Sequence, residues 1–287
     1  MPCVFCKGHD RYSFMSIVNG NYICRQCGAG DGFSLIMKVS DCSFIEAVEM
    51  VGQYLGITRQ GYSNPIHFEE NIELRRLEKD RYLKEAAAEK HRQEAVAAQR
   101  AVRLWNSASL ANSEHPYLIR KQLPALGLKQ SGNNLLIPLY AHDHELVNIE
   151  QINSCGKKFG LKNGKRKDVY YRFGQESWTV YICEGWATGA SLYLMEGQTI
   201  QVYSAMGKGN LTAISYIAKE QNPDSRLILA ADNDTHLSGN PGLKDALHAA
   251  EAVGATVMMP PAISTQHRGT DFSDFYLANG GHAYGTL

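Results

Sequence analysis

Two short apolar segments of the chain end in acidic residues, and this pattern constrains the fold more than any other feature. Residues 180–183 (Val-Tyr-Ile-Cys) are followed by Glu184, and residues 227–231 (Leu-Ile-Leu-Ala-Ala) are followed by Asp232 and, two positions on, Asp234. Short aliphatic runs flanked by helix-like segments are typical of central strands in a parallel sheet, whose ligands gather beyond the carboxyl ends of the strands. The three acids therefore predict a divalent-metal site at that edge of the sheet.

Strand-like and helix-like segments alternate regularly from Trp178 onward. The predicted strands are 179–183, 199–204, 226–231 and 255–259, and the predicted helices are about 187–196, 211–220 and 242–253. Such alternation favours a doubly wound, Rossmann-like α/β domain with right-handed crossovers.

The spacing of the acids suits phosphoryl chemistry. Asp232 and Asp234 point to one face if the backbone there is extended, and Glu184 faces them from another strand. Mg²⁺ prefers oxygen ligands and keeps several waters, so two or three carboxylates are sufficient to hold it. Glu184 is either a ligand or the base toward an attacking hydroxyl. The alternative is that the acids cap the helices that follow them.

Four of the seven cysteines form two close pairs, Cys3-x-x-Cys6 and Cys24-x-x-Cys27. The segment between the pairs can form a hairpin with its turn at Asn19-Gly20, which returns the second pair to the first. Four thiolates then surround one structural Zn²⁺ and close its coordination shell. His9 is an alternative ligand. We expect no disulfides, because this pattern suits metal in a reducing compartment.

The composition is that of an ordinary globular protein of 287 residues, with 29 Lys+Arg against 29 Asp+Glu. Any nucleic-acid binding must therefore depend on a local basic patch. No apolar run approaches the ~20 residues of a bilayer span, and the start Met-Pro-Cys lacks a leader pattern. We expect a cytoplasmic protein without membrane contact.

A local basic patch lies between Gly156 and Gly174. Its cations are Lys157, Lys158, Lys162, Lys165, Arg166, Lys167 and Arg172, and its aromatic residues are Phe159, Tyr170, Tyr171 and Phe173. The combination predicts contact with single-stranded nucleic acid and nucleotide phosphates, with base stacking on the aromatic rings. A solvated basic loop is the alternative. Lys208, in Gly207-Lys208-Gly209 before a predicted helix, is a further candidate phosphate contact.

The middle of the chain predicts connecting elements and a small β region. Residues 58–71 have the composition of a linker, and residues 72–105 that of a long solvated helix. Strand-like runs follow at 134–140 and 146–152. We predict domains at 1–57, 58–105 (linker and helix), 106–177 (with the basic patch) and 178–287.

The N-terminal segment resembles the zinc ribbon of phage and plasmid DNA primases. The residues that carry the likeness are Cys-Val-Phe-Cys-Lys-Gly-His-Asp-Arg-Tyr-Ser-Phe and, later, Tyr-Ile-Cys-Arg-Gln-Cys-Gly-Ala-Gly-Asp-Gly-Phe, with two short helices predicted at 33–39 and 44–55. The resemblance implies that the ribbon contacts template DNA, with Arg11, Tyr12 and Arg25 as candidates for phosphate and base-stacking contacts. Surface and hairpin-packing roles are the alternative for each.

The C-terminal segment resembles a Toprim domain, the catalytic fold of bacterial and phage primases. Glu184-Gly185-Trp186-Ala187-Thr188-Gly189 is similar to the E-G-Y-A-T-A motif of satellite-phage alpha-type primases, with Trp186 in place of Tyr. Residues 269–275 resemble the late acidic motif of primase cores, which implies that Asp271 and Asp274 lie beside the metal site. Residues 148–159 resemble the small β subdomain that precedes the Toprim domain in such cores.

Together the resemblances imply an α/β multidomain protein: zinc ribbon, helical linker, small β subdomain and Rossmann-like Toprim catalytic domain. They imply a primase, a nucleotidyltransferase that copies single-stranded DNA into short RNA primers from ribonucleoside triphosphates with Mg²⁺ or Mn²⁺. No Walker A motif occurs up to Leu287, so we expect a separate replicative helicase as partner. The alternatives are a Toprim nuclease or topoisomerase-like enzyme, and a non-catalytic single-stranded-DNA-binding module.

Overall fold

The computed structural model describes residues 2–9, 11–16, 20–56, 65–261 and 270–281, without the side chains of 65–73, 75 and 208. The chain divides into two compact units, Met1–Ala88 and Glu89–Leu287.

The first unit is a three-stranded antiparallel ribbon followed by two helices. Its elements are β1 (Tyr12–Phe14), β2 (Tyr22–Cys24), β3 (Gly28–Gly30), α1 (Gly32–Ser40) and α2 (Phe44–Tyr54). Asp31 caps α1 by accepting a hydrogen bond from the Ser34 amide at 2.8 Å, and Ser43 and Glu46 form a capping box on α2. The predicted hairpin is present, although residue 19 of its predicted turn lies outside the described residues.

A long helix, α3, spans Pro65–Ser107 and enters the second unit. It begins at Pro65 rather than at the predicted Ile72, because proline in the first helical turn loses no hydrogen bond. The first part of the predicted linker, residues 58–64, lies outside the described residues. No helix in the described ranges combines the length and the apolar character that a membrane span requires.

A five-stranded antiparallel sheet opens the second unit. Its order is β4-β5-β6-β7-β8, with a short helix between the first two strands. The bounds are β4 Ser109–Leu110, α4 Pro116–Lys121, β5 Lys129–Ser131, β6 Asn134–Tyr140, β7 Leu146–Asn153 and β8 Lys158–Gly160. The strands predicted at 134–140 and 146–152 are the two longest of this sheet.

The second sheet of this unit is mostly parallel, with the order β13-β12-β10-β11-β9. Its elements are β9 (Tyr171–Phe173), β10 (Thr179–Cys183), α5 (Trp186–Met195), β11 (Gln201–Ser204), a 3₁₀ turn (Lys208–Asn210), α6 (Leu211–Gln221), β12 (Arg226–Ala230), α7 (Pro241–Val253), β13 (Thr256–Met258) and α8 (Phe272–Ala278). The predicted strand and helix alternation is confirmed. The chain passes from β10 to β11 on one side and then to β12 on the other, so the carboxyl end of β10 is a switch point where ligands bind in such sheets.

Alternate residues of β10 enter two different cores, as the period of a strand requires. Tyr181 and Cys183 pack with α5 and α8, whereas Val180 and Ile182 pack with α6 and α7. Both faces of β10 are buried, and this explains why its sequence is an unbroken apolar run.

Strand β9 pairs antiparallel with β11, opposing Phe173 to Val202. It lies before residue 178, where the predicted catalytic domain begins. The predicted domains 106–177 and 178–287 therefore share one sheet.

Candidate functional site

The four paired cysteines converge in the first unit, with Sγ atoms all within 4.8 Å of one another. The Sγ atoms of Cys3 and Cys27 are 3.9 Å apart, as are those of Cys6 and Cys24. A tetrahedral ion with Zn–S bonds of ~2.3 Å requires sulfur atoms about 3.8 Å apart, so the four thiols fit Zn²⁺. His9 is exposed and outside this cluster.

Backbone amides donate to two of these thiols and favour the thiolate form of Cys24. The amides of Phe5 and Cys27 donate to the Sγ atoms of Cys3 and Cys24 at 3.4 Å. Hydrogen bonds from the amides of Cys27 and Gln26 lower the pKa of the Cys24 thiol to about 6. A lowered pKa favours the thiolate, which is the form that binds zinc.

Of the three predicted DNA contacts in the ribbon, two are exposed and one is buried. Arg11 and Arg25 are exposed, and the Arg11 guanidinium donates to the side chain of Gln26. Tyr12 is 7% exposed and stacks on Tyr22 with ring centroids 5.8 Å apart. Its burial favours the alternative, a hairpin-packing role, over base stacking.

The carboxylates of the first predicted site lie at the ends of neighbouring parallel strands. Cys183 of β10 is in register with Ala230 of β12, so Glu184 comes one residue and Asp232 two residues after this last pair, at the same edge of the sheet. Together with Asp245 of α7, these two residues line one cavity of about 10 Å³. A cavity of that size holds about one water-sized group.

The pKa of the buried Cys183 thiol is affected by the charges of nearby acids. Burial raises its pKa to about 12, the Ser204 hydroxyl opposes the shift, and the charges of Asp232, Asp271 and Glu184 add to it. Acids from three separate chain segments therefore surround the end of β10.

Asp234 lies in a turn that follows Asp232. It is 6% exposed, and the chain turns beside it, with the Leu237 amide donating to its carbonyl at 2.9 Å. The Thr235 amide also donates to the Asn233 carbonyl at 2.8 Å, so the chain bends at Asp234 itself and the extended segment that the i, i+2 argument required ends there. A Cβ at Gly242 would lie 2.8 Å from the Asp232 carbonyl oxygen and 3.1 Å from Oδ2 of Asp234, so only glycine lets α7 approach this loop.

Asp271 and Asp274 are tied to α8, while Asp271 also contacts the first motif. Asp271 caps the helix by accepting from the Asp274 amide at 2.8 Å, and its second oxygen accepts from the Thr188 hydroxyl at 3.0 Å. Asp274 accepts from the Thr270 amide at 3.1 Å and lies 3.4 Å from the Lys121 ammonium. Burial raises the pKa of Asp271, with a further contribution from Asp274. The capping alternative describes the contacts of both residues; residue 269, which opens the predicted motif, is outside the described residues.

The basic patch is exposed at its cations and buried at two of its aromatic rings. Lys157, Lys158, Arg166, Lys167 and Arg172 are exposed, and Lys165 is half-buried. Tyr170 is 1% and Tyr171 7% exposed, and the two rings stack on Tyr203 and Phe173, respectively. The expectation that Tyr170 and Tyr171 stack bases is therefore wrong, because both belong to the core.

Two buried asparagines that sequence reasoning missed fix the basic loop. Asn148 donates to the Lys165 carbonyl at 2.8 Å. Asn210, at the end of the Lys208–Asn210 turn, donates to the carbonyls of Arg166 and Ala205 at 2.8 and 3.0 Å and accepts from the Asp168 amide at 2.9 Å. The loop and the turn that carries Lys208 are thus one assembly, although the Lys208 side chain is outside the description.

The donor set at the end of β10 and β12 fits a hard cation. Glu184 and Asp232 follow the carboxyl ends of adjacent strands and border one small cavity, and carboxylates are ligands that suit Mg²⁺ or Mn²⁺. Apart from the cysteines, no group of three or more His, Cys, Asp or Glu side chains in the described ranges converges within 4.8 Å. Asp245 also lines this cavity. It was not identified from the sequence, because it lies within helix α7 and outside both acidic motifs.

Comparison with known proteins identifies both ends of the chain. Residues 179–282 match the Toprim domain family, and residues 1–33 match the zinc-binding domain of primase-helicase. Two proteins of Escherichia coli named DNA primase TraC are 27% identical over 201 residues and 28% identical over 186 residues. These matches cover 65% and 61% of this chain but only 14% and 17% of the relatives.

Solved primase structures resemble the chain more weakly. The primase fragment of the bacteriophage T7 primase-helicase has a TM-score of 0.42 at 14% identity, covering 57% of this chain and 70% of its own. The Aquifex aeolicus primase, with zinc-binding and RNA polymerase domains, has a TM-score of 0.41 at 13% identity, covering 91% of this chain and 70% of its own. By the family matches, the TraC homology and the cysteine cluster, residues 1–33 are a primase-type zinc ribbon and residues 179–282 a Toprim domain, in a chain homologous to the TraC DNA primases.

Proposed function

We propose that the chain is a DNA primase that synthesises short RNA primers on single-stranded DNA in the replication of a phage, plasmid or similar element. One observation carries the chemistry: Glu184 and Asp232 follow the carboxyl ends of adjacent parallel strands and line the same cavity. The TraC relatives, which are named DNA primases, support the reaction class.

In the proposed reaction, Glu184 and Asp232, with Asp234 beside them, would hold Mg²⁺ or Mn²⁺. When bound, the metal would neutralise charge on the phosphoryl oxygens while a primer 3′-hydroxyl attacks the α-phosphorus in line and pyrophosphate leaves. Glu184 serves as a ligand or as the base toward that hydroxyl. Asp271 and Asp274 keep α8 against the first motif through Thr188.

The basic loop would serve the nucleic acid and the nucleotide. Lys157, Lys165, Lys167 and Arg172 present exposed or half-exposed cations to a phosphate backbone. Lys158 and Arg166, with Lys208 on the adjoining turn, would contact the triphosphate. In the ribbon, Arg11 and Arg25 would contact template phosphates, whereas the buried ring of Tyr12 would stabilise the fold.

Zinc would keep the ribbon folded and take no part in the reaction, because four thiolates leave no open position. Retained thiolates need a reducing compartment, which supports a cytoplasmic location. The helicase partner in trans stays a prediction.

The experiment combines single-stranded DNA, Mg²⁺ and labelled ribonucleotides with the wild type, Glu184→Gln and Asp232→Asn. Asp224→Asn is the matched control, since Asp224 precedes β12 at the opposite end of the strand. We expect short labelled RNA from the wild type and the control alone. Shortened or relaxed DNA would instead identify a nuclease or topoisomerase, and binding without product a non-catalytic module.

A further inference from the structure

Glu150 is a buried carboxylate on β7 that the proposed reaction does not use. It is 5% exposed and lies one residue from Ile149, which is fully buried. Burying an ionised carboxylate is costly unless charged partners compensate. Burial raises the pKa of Glu150, and the charges of Lys158 and Arg166 oppose this shift. Two cations of the basic patch are therefore the electrostatic partners of this residue.

Lys158 connects Glu150 to the metal-binding motif. It lies on β8 in register with Ile152 of β7. Its Nζ atom is 3.8 Å from where a Cβ would stand on Gly185. The ammonium is thus beside the turn that carries Glu184.

Arg166 is held from both ends. Its carbonyl accepts from Asn210 at 2.8 Å, and its Nη2 lies 3.6 Å from Oε2 of Glu150. A Cβ on Gly160 would lie 2.7 Å from its Nη1, so the guanidinium passes over a residue that has no side chain. The arginine side chain is nevertheless half exposed, at 50%, and can meet a ligand.

We propose that Glu150 is a positioning residue for two cations, Arg166, whose guanidinium it contacts, and Lys158, whose ammonium lies beside Gly185, and that this pair binds the triphosphate of the incoming nucleotide. This inference rests on the proposed function and deepens it. The same carboxylate also competes with phosphate for the two cations. Glu150 would therefore favour nucleotide binding by orienting the two cations, because hydrogen-bond donors that are already fixed lose less conformational freedom when a ligand binds.

A stabilising role alone predicts a different response to mutation. Replacing a buried ion pair by apolar groups is often neutral or stabilising, so Glu150→Leu need not lower the melting temperature. If Glu150 acted only through its negative charge, the response to mutation would differ again. Removing one negative charge would strengthen the binding of every polyanion, single-stranded DNA and nucleotide alike.

The test measures ATP binding with Mg²⁺ and no DNA by titration calorimetry, for the wild type, Glu150→Gln, Glu150→Leu and the exposed control Glu145→Gln. We expect both Glu150 variants to bind ATP about tenfold more weakly, and to raise KM for nucleotides with kcat within about twofold. Affinity for single-stranded DNA should stay equal or rise, and the control should match the wild type.

A double-mutant cycle with Arg166→Gln tests whether Glu150 acts through the arginine. We expect the effect of Glu150→Gln to shrink in the Arg166→Gln background, because groups that act as a unit are not additive. Unchanged or tighter ATP binding in the Glu150 variants, fully additive effects, or a wild type that binds no ATP would each overturn the inference. Failure of the proposed function has another signature: a wild type that binds ATP in this Glu150-dependent way but makes no RNA.

Discussion

The cysteines of the first unit converge within 4.8 Å, whereas the acids of the α/β sheet line a cleft without such convergence in the described ranges. The cysteine cluster draws on two segments less than 30 positions apart and closes around one ion. The acids at the ends of β10 and β12 line one cavity with a helix residue, Asp245, and a further acid comes from the cap of α8.

The difference follows from what the zinc and the proposed catalytic metal would each have to do. A structural zinc replaces a hydrophobic core that a short ribbon cannot build, so its ligands must be complete. A catalytic metal must leave room for substrate oxygens and waters, so its ligands are few and are placed by a rigid sheet. Four predictions separate the two kinds of site, from the largest effect to the smallest.

Loss of a zinc ligand should abolish the fold of the ribbon and leave the sheet intact. Structural zinc contributes about 10 kcal/mol or more to small domains, and among the described residues of the ribbon the buried cluster is small, consisting of Cys3, Tyr12, Tyr22 and Cys24. We expect Cys24→Ser to lose zinc, measured by metal analysis, and to expose residues before 57 to protease. Cys155→Ser, at an exposed thiol, is the control. Zinc retained at full occupancy would show that another group, such as His9, replaces the thiolate.

Loss of a cleft carboxylate should remove activity without unfolding. Glu184→Gln keeps the shape of the side chain, and we expect primer synthesis to fall about 10³-fold with an unchanged melting temperature. Asp245→Asn, which changes an exposed lining residue, should cost less. Equal losses in the two variants would mean that Asp245 is as close to the chemistry as Glu184.

Filling the space at Gly189 should destabilise the sheet and spare the zinc site. A Cβ there would lie 2.7 Å from Cγ1 of Val202 and 3.0 Å from Sγ of Cys183. Overpacking of this kind costs about 1–3 kcal/mol, so Gly189→Ala should lower the denaturant midpoint of the second unit while zinc content stays constant. Gly209→Ala, where no atom lies within 4 Å, is the matched control. A stability equal to the control would show that α5 shifts at little cost.

Asp271→Asn should have the smallest effect, because asparagine also caps helices and the Thr188 hydroxyl can rotate to accept. Since the pKa of Asp271 is raised in the folded state, folding stability falls as pH rises through the unfolded pKa to the folded one. The variant should therefore gain stability relative to the wild type at neutral pH, and the gain should vanish below the unfolded pKa. Denaturant unfolding at several pH values measures this. A loss of primer synthesis as large as that of Glu184→Gln would instead make Asp271 a direct participant.

The sequence predicted the four parallel strands of the α/β sheet because each carries its own signal, whereas the short antiparallel strand β9 was not predicted. The unbroken apolar run of β10 and the glycine and proline that flank the helices are local, and so are the C-x-x-C pairs. The start of α3 was placed too late because its first turns are polar and lack apolar periodicity.

Contacts between segments that are distant in sequence could not be predicted from such local signals. Tyr170 and Tyr171 lie among basic residues in the sequence. The neighbouring residues do not distinguish an aromatic ring that packs in the core from one that stacks on a base. Asn210 binds the carbonyl of Arg166, 44 positions earlier, and Glu150 meets Arg166 only because two strands and a loop fold over it. Such residues look like ordinary polar positions until the topology is known.

The pairing of β9 with β11 bears on how this protein can be divided. A fragment that starts at residue 179, where the Toprim match begins, would lack β9 and expose the backbone of β11, a central strand with all four residues buried. It would also leave the amide group of Asn210 without the Arg166 carbonyl. Exposed apolar edges pair with one another, so such a fragment would aggregate, whereas one that also retains the antiparallel sheet would remain dispersed. A fragment that keeps the α/β sheet intact must therefore begin before β9, and so well before residue 179, where the Toprim match begins.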